Sequence, residues 1–211
     1  MTGVPRIAIV DYGMGNRRSV EKALERVGAN TIITRDPETL GAADGLLLPG
    51  VGAVPAAMRA LRELGLEEVL VDCARDGMPL FGSCMGMQLL FEGSEEHEGA
   101  DALGLLRGRV RRLDARGLTL PHIGWNEVRW TREHPLLDGL PDPATFYHVH
   151  YYVPEPADAQ DALGCSEYGS PFVSVVARGN VMGSQFHPEK SSSNGLALLG
   201  NFTRLCARVR A

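Results

Sequence analysis

The 211-residue sequence holds only four cysteines, Cys73, Cys84, Cys165 and Cys206, and no two of them form a C-x-x-C pair. That spacing excludes a zinc ribbon and a thioredoxin-type redox motif. No apolar run approaches the roughly 20 residues that span a bilayer. The opening MTGVPRIAIVDYG has no basic stretch leading into a long apolar one, so it does not read as a secretory signal. Positive charge is not in excess: the formal net charge is −5, which gives no general pull toward nucleic acid or an anionic membrane. Gly (25) and Pro (13) are scattered without a Gly-X-Y period, which excludes collagen. Internal repeats, low-complexity tracts and linkers are also missing. With 44% hydrophobic and 22% charged residues the composition is that of an ordinary globular protein. These features predict one domain over residues 1–211, cytoplasmic, with reduced thiols and without membrane or nucleic-acid partners.

What is present is an alternation of strand and helix signals. Arg6–Val10 reads as a buried strand ending in the tight loop Asp11–Asn16. Val20, Ala23, Leu24 and Val27 then mark one helix face, with Asn16 able to cap its start and Gly28 its end. Thr31–Thr34 and Gly45–Leu48 read as further strands, the latter closed by Pro49-Gly50-Val51-Gly52. Helices follow over about 55–64 and 67–76, then a strand over Pro79–Gly82 that runs through Ser83–Gly86 into another helix. This order predicts an α/β fold with an open, mostly parallel sheet flanked by helices. In such sheets ligands sit beyond the carboxyl ends of the strands, so the loops 11–16, 49–52 and 82–86 are expected to converge. After about Gly93 the pattern changes. Residues 94–99 read as an acidic surface loop. Strands over 110–113, 126–131, 146–153, 172–178 and 181–186 suggest an antiparallel extension of the sheet. Gly179-Asn180 is a two-residue hairpin signal. A last helix is expected over Asn194–Val209, with Leu196, Leu199 and Phe202 on its apolar face.

Among the cysteines, Cys84 has the informative setting. It lies between a strand and a helix and is flanked by Gly82 and Gly86, which allow a sharp turn and close approach of a substrate. Backbone N–H groups and the helix start there favour a thiolate and can stabilise an oxyanion. A small buried core cysteine is the alternative reading. Cys165 and Cys206 read as core residues. A thiol nucleophile is helped by an oriented base, and Gln185-Phe186-His187-Pro188-Glu189 supplies one. In extended chain His187 and Glu189 point to the same side, and Pro188 holds the segment extended. Glu189 can orient one ring nitrogen while the other faces the thiol. The chemistry implied is acyl transfer through a thioester.

The segments Gly82–Gln88 and Gln185–Ser191 resemble the class I, triad-type glutamine amidotransferases, whose sheet has a flavodoxin-like core. Asp11–Asn16, Leu48–Gly52, Pro121–Asn126 and Tyr147–Tyr152 narrow the resemblance to glutaminase subunits of imidazole glycerol phosphate synthases, in the family's order along nearly the whole chain. The resemblance implies hydrolysis of glutamine to glutamate, with ammonia passed to a (β/α)₈-barrel cyclase subunit in a heterodimer that serves histidine biosynthesis. It implies Cys84 as nucleophile, His187 as base and Glu189 as orienter. Gln88 and Glu96 would hold the amino-acid end of glutamine, Tyr147 would line its pocket, and Tyr151 and Tyr152 would lend backbone groups. Gly50, Val51 and Gly52 would form an oxyanion strand whose peptide reorients; the segment lacks the Lys and Ser/Thr of a phosphate loop. Asn16, Trp125 and Lys190 would face the cyclase.

The residues themselves leave plainer readings open. Glu96 alone reads as a surface charge in an acidic run, Trp125 as a core residue, and 49–52 as a simple turn. A glutaminase of another synthase, or a stand-alone cysteine hydrolase, would carry the same triad; Pro121–Asn126 and Tyr147–Tyr152 favour the histidine pathway. His122, His148 and His150 lack an acidic ligand set, so hydrogen-bonded histidines rather than a metal site are expected, and no cofactor is read. Four positions depart from the family pattern: Ser83 and Ser184 replace branched residues, His148 replaces an aromatic, and Arg17 replaces an apolar residue.

Overall fold

The computed structural model describes residues 3–208; the expected end of the last helix at Val209 lies outside them. The first half runs β1 (Arg6–Val10), α1 (Arg17–Arg26), β2 (Asn30–Thr34), α2 (Pro37–Gly41), β3 (Gly45–Gly50), α3 (Val54–Glu63), α4 (Leu66–Arg75), β4 (Leu80–Cys84) and α5 (Met85–Gln88). Then come β5 (Gly93–Ser94), β6 (Ala100–Asp101), β7 (Gly108–Arg112), β8 (His122–Trp130), β9 (Ala144–His150) and β10 (Tyr152–Pro156). The chain ends with β11 (Ala162–Tyr168), β12 (Ser170–Arg178), β13 (Val181–Ser184) and α6 (Ser192–Arg208).

A nine-stranded sheet in the order β2-β1-β3-β4-β13-β12-β11-β8-β9 forms the spine. Its β2-β1-β3-β4-β13 half is parallel, and β12, β11, β8 and β9 continue it antiparallel. The fold class is therefore the expected one. Alternating side chains explain why both faces are covered. Ile7, Ile9, Leu47, Phe81 and Met182 point into the core beneath α1 and α6, whereas Ala8, Val10, Leu46, Leu48 and Leu80 point into the core beneath α3 and α4. The β12–β13 hairpin turns at Gly179-Asn180, with Gly179 at φ +57°.

Several expectations are corrected. Strands β7 and β10 do not join the main sheet. They pair with each other and with β5 in a second, four-stranded sheet, β10-β7-β5-β6. Residues 94–99 are not simply a surface loop: Ser94 closes β5 and is fully buried, and Glu96 is buried too. The run 146–153 is broken at Tyr151, where the chain leaves one sheet for the other. Asn16 occupies the N-cap position of α1 but makes no side-chain cap hydrogen bond. Helix α5 is one turn long, because Gly86 and the following loop divert the chain to β5. Such a helix has little macrodipole, so electrostatic support at Cys84 has to come from side chains. Among the described residues no helix is long and apolar enough to cross a membrane.

Candidate active site

The three predicted loops do meet at the carboxyl edge of the parallel strands. Gly50 pairs in register with Cys84 on the neighbouring strand. The Tyr12 hydroxyl donates to the Pro49 carbonyl at 2.6 Å, fastening the first loop to the second. Asp11 is held by Arg17, which ion-pairs with it, so the departure at Arg17 is absorbed within the loop.

Cys84 sits at φ +55°, ψ −115°, a strained conformation for a side chain with a Cβ. The strain is sustained by packing. A Cβ on Gly82 would lie 2.4 Å from the Gly86 carbonyl oxygen, and one on Gly86 would lie 1.9 Å from the Leu48 carbonyl oxygen. Only glycines let β4 bend into α5 this tightly against β3. The elbow lifts the Cys84 sulfur to the floor of a cavity of about 310 Å³. The sulfur meets the Val149 carbonyl at 3.8 Å and the Gln185 amide nitrogen at 3.9 Å.

His187 reaches the same sulfur from the end of β13. Its backbone is extended, and its Nδ1 lies 3.0 Å from the Glu189 carboxylate. Backbone contacts fix the ring's position: the His187 N–H donates to the Tyr147 carbonyl at 3.0 Å, and the Ser191 hydroxyl donates to the His187 carbonyl at 2.6 Å. Burial by itself would lower the His187 pKa. The Cys84 sulfur and the Glu189 carboxylate, both in hydrogen-bond contact with the ring, outweigh it and push the pKa up to about 10. The imidazolium is thus the favoured state of the His187 ring. The remaining thiols differ. Burial raises the pKa of Cys73, Cys165 and Cys206, and Cys206 is fully buried, so these three are poor nucleophiles.

Around this pair the cavity is lined by Val51, Gly52, Gln88, Glu96, Tyr151, Tyr152 and Lys190. Glu96 is no surface charge: it is buried, and its carboxylate accepts the Val54 N–H at 2.9 Å while facing the cavity. Gln88 donates to the Tyr152 carbonyl at 3.0 Å and to the Gln185 side chain at 3.1 Å. Gly50 lies beneath the cavity, packed on Met85 and Gly86. Tyr147, expected to line the pocket, does not. It lies half-buried against Trp125, ring centroids 5.9 Å apart, and its carbonyl accepts the His187 N–H. Trp125 is no core residue but 56% exposed, and Ile123, Tyr151 and Val51 are exposed as well. Lys190 is exposed at the rim of the cavity, and Asn16 is half-exposed at the start of α1. Gln185 was missed from sequence. It is fully buried and bridges Gln88 and Cys84, and its place two residues before His187 was the available signal. A larger groove of about 640 Å³ lies between Trp130 and Asp142 but contains no cysteine.

This chain, with its mostly parallel sheet, strained cysteine elbow and histidine–carboxylate pair beside one cavity, matches the family model of the class-I glutamine amidotransferases over residues 8–205. Imidazole glycerol phosphate synthase subunit HisH of Bacillus cereus strain G9842 is 52% identical over 198 residues, 93% of each chain. The HisH subunits of Moorella thermoacetica (48% over 199 residues, 94% of each chain) and Methanosarcina mazei (45% over 203 residues, 95% of this chain and 99% of that one) are similar at nearly full length. The chain belongs to this family, and within it to the HisH subunits of imidazole glycerol phosphate synthase. It is accordingly an enzyme, a glutamine amidotransferase subunit, and a subunit implies a partner subunit. The fold has solved counterparts at low identity. A crystal structure of a glutamine amidotransferase aligns with TM-score 0.74 at 23% identity, covering 94% of this chain and 98% of that one. The PurLQS structure from Thermotoga maritima aligns with TM-score 0.74 at 19% identity, covering 99% of each chain.

Proposed function

We propose that the whole chain acts as one glutaminase domain in the cytoplasm, with Cys84, His187 and Glu189 as its triad. The observation that carries this reading is the His187 ring held between the sulfur of a strained Cys84 and the buried Glu189 carboxylate. The Cys84 thiolate attacks the side-chain amide carbon of glutamine and forms a C–S bond. The imidazolium proton goes to the departing nitrogen as the C–N bond breaks, releasing ammonia. His187, now neutral, takes a proton from water, whose oxygen attacks the thioester. The C–S bond breaks, glutamate leaves with its carboxyl proton passing to solvent, and the proton retained on His187 restores the imidazolium–thiolate pair. Glu189 keeps the ring oriented and supports its charge throughout.

Glu96 and Gln88 present a carboxylate and an amide to the amino-acid end of the substrate, Glu96 toward the ammonium. The Tyr151 and Tyr152 backbone completes that end. Backbone N–H groups of 50–52 serve the oxyanion. Because Tyr12 pins the Pro49 carbonyl, reorientation of this strand is confined to the peptides after Pro49. The exposed Trp125, with Lys190 and Asn16, faces the partner. That partner is a (β/α)₈-barrel cyclase, which forms a heterodimer with this chain and consumes the ammonia in making imidazole glycerol phosphate and an aminoimidazole carboxamide ribotide.

The test is glutamate release from glutamine by the chain alone and with the cyclase and its nucleotide substrate, with Cys84→Ala as control. Weak release alone, strong release in the complex and none in the control are expected. Equal release with and without the cyclase would refute the gated reading in favour of a stand-alone hydrolase.

A further inference from the structure

Strands β8 and β9 bring three histidines together behind the cavity. His122 pairs in register with His150, and His148 lies two residues along the same face of β9. His122 Nδ1 is 3.1 Å from His150 Nε2, and His148 Nδ1 is 3.2 Å from that same atom. The ring centroids are 4.9, 5.0 and 5.3 Å apart. All three residues are at most 5% exposed. Tetrahedral ligands about 2.0 Å from a zinc-sized ion have nitrogens ~3.3 Å apart and ring centroids ~5 Å apart. Two of the three nitrogen separations are near that value, all three ligand atoms lie within 4.8 Å of one another, and the centroid spacings match. Among the described residues it is the one group of three or more metal-ligating side chains gathered this closely.

A purely hydrogen-bonded trio accounts for this less well. The Asn126 side chain donates to the Glu167 carbonyl at 2.9 Å and its oxygen accepts the Glu127 N–H at 2.8 Å, which turns its amine toward His122 Nε2 at 3.4 Å. His122 then carries its proton on Nδ1 and donates to His150 Nε2. His148 is left to share that single acceptor, and its own Nε2 is buried with no partner. Whichever nitrogen of His148 bears the proton, its Nδ1 has no partner of its own, a shortfall that an ion among the facing nitrogens removes; His148 Nε2 and His150 Nδ1 lack partners with or without the ion. A phenylalanine at position 148 would pack against Phe172 and Phe186 without a polar atom to satisfy.

We propose that His122, His148 and His150 bind a divalent transition-metal ion of the zinc class, clamping β8 to β9 beside the glutaminase cavity. The rings are held neutral. Burial lowers the pKa of His122 to about 4 and of His150 to about 3, and takes His148 well below its ordinary value, so protons do not compete for the lone pairs. Loading moves the His122 proton from Nδ1 to Nε2, and the Asn126 carboxamide gives up its 3.4 Å contact with that nitrogen while keeping its bonds to Glu167 and Glu127. The fourth position falls to water from the cavity, which His150 lines. The clamp holds the strand whose Val149 carbonyl contacts the Cys84 sulfur.

The test uses the full, tag-free chain titrated with Co²⁺ and then with Zn²⁺ in competition. The expected result is one ion per chain, with the visible bands of tetrahedral cobalt and no thiolate charge-transfer band, and a melting temperature raised by Zn²⁺. Cys84→Ser should bind as the wild type does. His148→Phe should lose affinity about 100-fold or more while keeping its circular dichroism and its glutaminase rate in the complex. X-ray absorption of the loaded wild-type chain provides a readout that needs no variant: a first shell of nitrogen and oxygen only. Absence of binding at millimolar metal, undiminished binding by His148→Phe, loss of binding in Cys84→Ser, or sulfur in the first shell would each overturn the proposal.

Discussion

Replacing Glu189 by Gln separates an orienting carboxylate from a merely structural one. One oxygen of Glu189 lies 3.0 Å from His187 Nδ1, the side chain is 2% exposed, and the other oxygen is buried with no partner. A hydrogen bond to a charged group contributes about 1.5–3 kcal/mol and a neutral one about 0.5–1.5 kcal/mol. Loss of the charge therefore removes ~1–2 kcal/mol of support for the imidazolium, or roughly five- to thirtyfold in rate. If the Gln amine turns toward Nδ1 it enforces the wrong tautomer, a change that costs ~10⁴-fold in a comparable triad. The variant is thus expected to lose at least about fivefold of its glutamate release in the complex. Stability should fall as well, because the buried His187 imidazolium loses its anionic partner. Glutamate release and calorimetry on the same preparation provide both readouts. Activity within about threefold of wild type, or a melting temperature that does not fall, would refute the role given to Glu189.

Three further outcomes are expected. Gly86→Ala should destabilise the chain by more than about 2 kcal/mol and abolish thiol-dependent activity, because its Cβ would sit 1.9 Å from the Leu48 carbonyl oxygen; thermal unfolding and iodoacetamide labelling of Cys84 check this. Tyr12→Phe should cost about 1–3 kcal/mol by leaving the Pro49 carbonyl unsatisfied, and should raise glutamate release by the chain alone if loop mobility limits it; denaturant titration and the uncoupled assay measure both. His187 has a folded pKa of about 10, above the ordinary value near 6.5, so its bound proton stabilises the fold fully below about pH 6.5 and that contribution is lost as pH rises through about 10. The melting temperature of the wild type should therefore drop more steeply over that window than that of His187→Gln, and equal slopes would contradict the assignment.

Much of this protein is decided locally. The apolar alternation of Ile7 to Val10, Leu46 to Leu48 and Leu80–Phe81, separated by helical faces, specifies a parallel sheet covered on both sides, since each strand has side chains for two cores. Gly82 and Gly86 around Cys84 specify the elbow because no other residue fits there. His187 and Glu189, two apart with Pro188 between, share a side through backbone geometry alone. Contacts between distant segments are another matter, because nothing in a short window sets the register of one strand against another. Glu96 looks like a surface charge until the Val54 N–H, 42 residues away, and the cavity are known. Strands β7 and β10 leave the main sheet because their partners in space are each other and β5. Tyr147 is kept out of the cavity by its packing on Trp125. The convergence of His122, His148 and His150 exists only because β8 and β9 pair in the one register that sets His122 opposite His150. Local sequence thus determined the elements and the cysteine elbow. The long-range register of the strands, set by total burial, decided the walls of the site.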